Sequence, residues 1–146
     1  MPTTTNPTVP LSHRDLLDAY VAALATNGLS GKPQVTAIGF YYDKVDDQVK
    51  ISLNDARQKT KNMRRDPQAT LFILDLANPQ RSLEIRAGVE LRPDPDLEFC
   101  RTAGAKYGVD FHDHDLPGET RSIVVLHPTR ILATSVGEHG MQVVAG

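Results

Sequence analysis

The chain has 146 residues with 16 basic and 18 acidic side chains and a net charge of -2; it is long enough for one domain with its own core, and its balance argues against a dedicated nucleic-acid binder. Cys100 is the only cysteine, which excludes an intramolecular disulfide and a multi-cysteine metal site and makes the cytoplasm the expected setting. Residues 1–10 hold threonines and prolines without an apolar signal core, and no apolar run is long enough to span a bilayer, so a flexible leader and no membrane segment are expected.

From residue 13 to about 25, Leu16, Leu17, Tyr20, Val21 and Leu24 follow a Ser12 cap with helical spacing that turns apolar, predicting a helix that passes into a first strand. Asn27-Gly28 and Ser30-Gly31 tolerate positive φ and predict a hairpin. A second strand over 33–42 places Val35, Ala37 and Gly39 on one face and Gln34, Thr36, Ile38, Phe40 and Tyr42 on the other. After a turn at Asp46-Asp47, a third strand over 48–53 puts Val49, Ile51 and Leu53 on one face in a half-buried antiparallel pattern.

Arg57-Gln58-Lys59-Thr60-Lys61-Asn62-Met63-Arg64-Arg65-Asp66-Pro67 then combines a short helix with a concentration of cations. Asp55 is the expected N-cap and Gln58 its capping-box partner, with Ala56, Thr60 and Met63 as the buried stripe and Asp66-Pro67 as the stop. Backbone amides, the positive end of the helix dipole and the cations together predict a phosphate or carboxylate clamp. A solvated basic face is the alternative.

The short apolar run 69–76 predicts a fourth strand buried on both faces. Leu83, Ile85, Ala87, Val89 and Leu91 alternate with Glu84, Arg86, Gly88 and Glu90 in the clearest strand of the chain. Asp94-Pro95 predicts a helix to about Tyr107 with Gly108 at its C-terminal turn, and Leu97, Cys100, Ala103, Gly104 and Tyr107 as its inner stripe. Residues 112–118 read as a polar loop, and a sixth strand runs over about 120–126 and resumes past Pro128 to Thr134. His112-Asp113-His114-Asp115 has metal-ligand residue types but no further ligands nearby, so no metal is expected, and Cys100 reads as a structural, buried thiol. The expected organisation is a leader over 1–10, a mainly antiparallel barrel with short helices over 11–136, and a mobile tail over 137–146.

Several motifs in this order resemble the split β-barrel flavin and deazaflavin oxidoreductases, the group of the pyridoxamine-phosphate oxidases, and most closely the branch using coenzyme F420. They are Lys32-Pro33-Gln34-Val35-Thr36, the run from Gln58 to Pro67, Leu83-Glu84-Ile85-Arg86 with Val89-Glu90, and Pro117-Gly118-Glu119-Thr120-Arg121. The resemblance implies a mainly β fold with short helices, an FMN-binding-protein-like split barrel, and a homodimer with cofactor in a groove between protomers. It implies a phosphate grip by Arg57, Lys59, Thr60 and Asn62, a ring resting along Gln34, Val35, Thr36, Ser52 and Leu53, and further cofactor contacts from Lys32 and Asn54. Ala37-Ile38-Gly39-Phe40 departs from the bulkier polar or aromatic residues usual beside the ring.

The implied activity is hydride transfer from reduced F420 to an electron-poor small organic acceptor. The chemistry belongs to the cofactor, so no side chain is assigned a catalytic role. An FMN-dependent oxidase or reductase of the same fold, and a non-catalytic carrier of flavin, deazaflavin or haem, are the alternatives.

Overall fold

The computed structural model describes residues 6–137 and 140–145; residues 1–5 of the expected leader and 138, 139 and 146 of the expected tail lie outside it. Strands β1 (Ala22–Asn27), β2 (Pro33–Ile38), β3 (Tyr41–Asp43), β4 (Gln48–Asn54), β5 (Gln68–Leu74), β6 (Ser82–Pro93), β7 (Arg121–Gly137) and β8 (Gly140–Ala145) form one sheet. Their order is β2-β1-β5-β6-β7-β4-β3, with β8 paired to β7 and every pairing antiparallel. Helices α1 (Gln58–Arg65) and α2 (Glu98–Ala105) and 3-10 turns at Leu11–Asp18 and Phe111–His114 complete it.

The strand order dictates closure. β2 and β3 stand at opposite ends of the order, yet only Gly39 and Phe40 separate them in the chain, a span of roughly 10 Å at full extension. The sheet must therefore curl until its ends meet, giving the split barrel expected from the sequence. Phe40, only 1% exposed, fills the corner. The end of α2 fastens it: Lys106 Nζ donates to the carbonyls of Ala19 and Phe40 at 2.6 and 2.8 Å. The Tyr107 hydroxyl accepts from the Phe40 amide at 2.9 Å and donates to the Tyr20 carbonyl at 2.8 Å. Inside the barrel, Leu24, Ile51, Leu71, Ile73, Leu83, Ile85, Val124 and Ile131 form the core, each from alternate positions of its strand.

Several elements differ from their sequence expectations for identifiable reasons. The first helix is a 3-10 helix begun by Pro10, because the Ser12 hydroxyl is engaged with His13 Nδ1 at 2.8 Å and caps nothing. The strand expected over 33–42 breaks at the corner into β2 and β3. β4 is buried on both faces, since Lys50, Ser52 and Asn54 on its polar side are covered by partners of their own.

β5, expected to be buried on both faces, alternates: Ala69, Leu71 and Ile73 enter the core while Phe72 faces outward. α2 starts at Glu98, after Leu97 has taken a left-handed conformation at φ 59°. Asp94 still caps it from one turn away, accepting from the amides of Phe99 and Cys100 at 3.3 and 2.9 Å. The segment expected as a mobile tail includes β8, where Val136 opposes Met141 and Thr134 opposes Val143 in the period-two register of a strand.

Candidate functional site

The site grows from the turn between β4 and α1. Asn54 organises this turn: its Oδ1 accepts from the Ala56 amide at 2.7 Å, and its carbonyl accepts from the Thr60 hydroxyl at 2.8 Å. The helix therefore needs no capping box, and none forms. Arg57 is the N-cap and no side chain caps it. Asp55 accepts instead from Ser122 Oγ at 2.6 Å and Arg64 at 3.1 Å, and Gln58 donates to Asn62 Oδ1 at 2.9 Å. Thr60 and Met63 face inward as expected, whereas Ala56 is exposed and precedes the helix.

The inward face of α1 also carries Lys59, which is only 6% exposed. Its Nζ donates to Thr36 Oγ1 at 3.0 Å, and no carboxylate forms an ion pair with it among the described residues. Burial pushes its pKa below the ordinary lysine value, and the charge of Arg57 pushes the same way. A buried cation beside a second cation is a site whose electrostatics are completed by an anion.

Lys59 and Arg57 form one end of a cleft of about 530 Å³. Ser52, Leu53 and Asn54 of β4 line its floor, and Ala37, Ile38 and Gly39 form a wall of mostly small residues. The cleft thus gathers Ser52, Leu53, Asn54, Arg57 and Lys59 from the expected site, with Thr36 held against Lys59. Gln34 and Asn62 support it from beneath: Asn62 Nδ2 donates to Gln34 Oε1 at 3.0 Å and to Thr26 Oγ1 at 3.1 Å. Thr60 is buried on the Asn54 carbonyl. Two of the expected residues lie elsewhere. Lys32 is exposed at the β1–β2 turn, and Val35, on the opposite strand face from Thr36, lines a shallow apolar hollow.

The opposite wall, which sequence reasoning did not assign to the site, comes from the 3-10 turn, the loop after it and the start of β7. Phe111, His114, Asp115, Glu119 and Arg121 line it. Arg121 pairs with Asp115 at 2.7 Å, their side chains 8% and 3% exposed, and donates to Ser52 Oγ at 3.2 Å. Burial alone would raise the Asp115 pKa, but hydrogen bonds from Asn54 and His112 and the Arg121 charge outweigh it and hold the carboxyl below the usual aspartate range. The signal for this wall was the run Pro117-Gly118-Glu119-Thr120-Arg121, which carried the resemblance without being given a role. His112 is held on Asp115 at 3.0 Å. Among the described residues, no group of three or more histidine, cysteine or acidic side chains is arranged to hold a metal ion, and no helix is long and apolar enough to cross a membrane.

Comparison with known proteins agrees with this architecture. The profile of the pyridoxamine 5'-phosphate oxidase family matches residues 12–135. A solved F420 reductase is 32% identical, with a TM-score of 0.71 over 84% of this chain and 98% of that one. More distant structures share the fold alone. A haem-binding protein of Mycobacterium smegmatis is 21% identical with a TM-score of 0.62, covering 95% of this chain and 60% of that one. HupZ of Group A Streptococcus is 14% identical with a TM-score of 0.63, covering 86% and 94%. With its split barrel, family profile and a relative at 32% identity in agreement, the chain belongs to the pyridoxamine 5'-phosphate oxidase family.

Proposed function

We propose that the cleft binds the deazaflavin coenzyme F420 and that the protein directs its hydride to an electron-poor small organic acceptor. The observation that carries this reading is the buried Lys59 ammonium, which has a hydroxyl partner but no counter-charge among the described residues and lines the cleft together with Arg57. A phosphate supplies the missing charge. The relative named an F420 reductase, at 32% identity over nearly its whole length, favours a deazaflavin over FMN.

Bound in reduced form, the deazaflavin supplies the hydride. The chain's own residues bind and orient: Lys59 and Arg57 hold the anionic end, Leu53 and the wall at 37–39 give a flat ring an apolar seat, and the Arg121–Asp115 pair fixes the far wall.

A homodimer is part of the proposal. Val35, Phe72 and Leu76 leave an apolar hollow 62%, 38% and 75% exposed at those residues, and it shares Ala37 with the cleft. A second copy seated there buries this surface and gives an open cleft its missing side.

Titration of the purified protein with F420 and with FMN, followed by absorbance and fluorescence, tests the reading. The expected result is saturable F420 binding tighter than FMN binding, a dimer mass by light scattering, and oxidation of bound reduced F420 by enones or quinones. Tighter FMN binding overturns the cofactor, binding without turnover makes the protein a carrier, and a persistent monomer mass with cofactor bound removes the shared groove.

A further inference from the structure

Hydride addition to a conjugated acceptor leaves an electron pair that must take up a proton, and the chain offers a specific donor. We propose that His114 is that proton donor, an inference that rests on the hydride-transfer reading above. His114 lines the same cleft as Arg57 and Lys59, its side chain is exposed, and it has no hydrogen-bond partner among the described residues. Histidine is also the side chain that ordinarily changes charge within about pH 5 to 8.

The turn that presents His114 is fixed although it lies at the surface. Asp110 accepts from the His112 amide at 3.0 Å, and the Asp115 amide donates to the His112 carbonyl at 3.0 Å. The Asp115 carboxylate is gripped by Arg121 and Asn54 at 2.7 and 2.8 Å. Phe111 packs its ring 5.8 Å from that of Tyr107 and 5.9 Å from the Arg121 guanidinium. The backbone that carries His114 is thus fixed, and among the described residues its ring stays unpaired for an acceptor.

The other polar groups of the cleft are committed. Asp115 is held ionised by its partners. Glu119 accepts from the Leu116 amide and Asn54 at 2.7 and 3.0 Å, Ser52 accepts from Arg121, and Lys59 is held on Thr36 at the anion end. A guanidinium does not give up its proton in this range. The charges surrounding His114 are Asp113 on its own turn, Asp115 and Glu119 after it, Arg121 on β7, and Arg57 and Lys59 across the cleft.

In the step itself, a C–H bond forms at the electron-poor carbon from the hydride as the acceptor's C=C π bond opens. The displaced pair moves toward the carbonyl, and an N–H bond of the His114 imidazolium breaks to protonate the resulting enolate. The acceptor gains two electrons at the expense of the reduced deazaflavin, and the neutral imidazole recovers its proton from water.

The test uses the full chain loaded with reduced F420 and cyclohexenone as acceptor, comparing wild type with His114→Ala and His114→Gln. Both variants should bind F420 as wild type does, lose about a hundredfold in kcat, at the low end of what general acids contribute, and lose the fall in rate as pH rises through neutrality. Added imidazole should restore part of the alanine variant's rate. Independently of turnover, cyclohexenone should slow carbethoxylation of His114 by diethyl pyrocarbonate, read by mass spectrometry, without slowing that of His127, which lies outside the cleft. A His114→Ala protein with wild-type kcat and pH profile, or unprotected labelling of His114 in a protein that turns over, overturns this role and leaves the functional reading standing. A wild type that binds no F420 or reduces no acceptor overturns both.

Discussion

Replacing Lys59 with alanine is expected to weaken F420 binding by about tenfold or more and to leave the chain folded. A charge-assisted hydrogen bond to phosphate contributes about 1.5–3 kcal/mol, and ~1.4 kcal/mol is tenfold in affinity. Helical spacing leaves the cations pointing outward or across a cleft; the structure buries Lys59 without a counter-charge among the described residues, so the folded protein bears its desolvation cost until an anion arrives. Truncation removes that cost together with the binding energy, and a drop in melting temperature is not expected.

The pH dependence follows with a definite sign. Because the folded-state pKa of Lys59 is lowered, the folded protein binds fewer protons than the unfolded chain between that pKa and the ordinary value of 10.5, and its stability rises with pH across this window. Anion binding runs the other way and weakens as pH rises through the lowered pKa, since the clamp needs the ammonium. Calorimetric titration across pH and salt measures both, and Arg57→Ala should couple with Lys59→Ala less than additively if both grip one phosphate. Unchanged affinity and salt dependence in Lys59→Ala would assign the basic helix to solvent.

The second large effect concerns Arg121. Arg121→Ala removes one partner of an ion pair whose side chains are 8% and 3% exposed, stranding the Asp115 carboxylate and a hydrogen bond to Ser52. Breaking a buried pair from one side costs about 3–5 kcal/mol, and at this chain length each kcal/mol lowers Tm by roughly 2–4 °C or slightly more. A fall of about ten degrees is expected, partly recovered by adding Asp115→Asn. In wild type the Asp115 contribution is fully present above the ordinary aspartate pKa and is lost as pH falls through the lowered folded value. The variant should show a weaker acid-side dependence, since the hydrogen bonds from Asn54 and His112 remain. A melting temperature within a couple of degrees of wild type, with the same acid profile, would show that the pair contributes little.

The parts of the fold written in local pattern were legible in the sequence. β6 alternates from Ser82 to Ala87, and the cationic run opens a helix that ends before Pro67. What escaped was written in distance. Asn54 meets Asp115 across 61 positions and Arg121 meets Ser52 across 69, so no window of sequence shows that the loop and β7 form the second wall. The burial of Lys59 escaped for a related reason: helical spacing put charges outward, whereas the partner that draws this one inward is Thr36 on another strand. Val35 and Thr36 are both expected along the ring; in the fold Thr36 meets Lys59 while Val35 stands in the neighbouring apolar hollow.

The corner at Gly39 and Phe40 joins two tasks in one stretch of backbone. Gly39 lines the cleft, and a β-carbon placed there would stand 3.0 Å from the Tyr107 ring and hydroxyl that hold the seam of the barrel. Bulk added at this position to reshape the cleft therefore presses on the closure itself. The shape of the cleft is more easily changed on the far wall, at exposed Leu116. In this chain the loop wall is accordingly the side that can change alone, and the corner is the side tied to Tyr107.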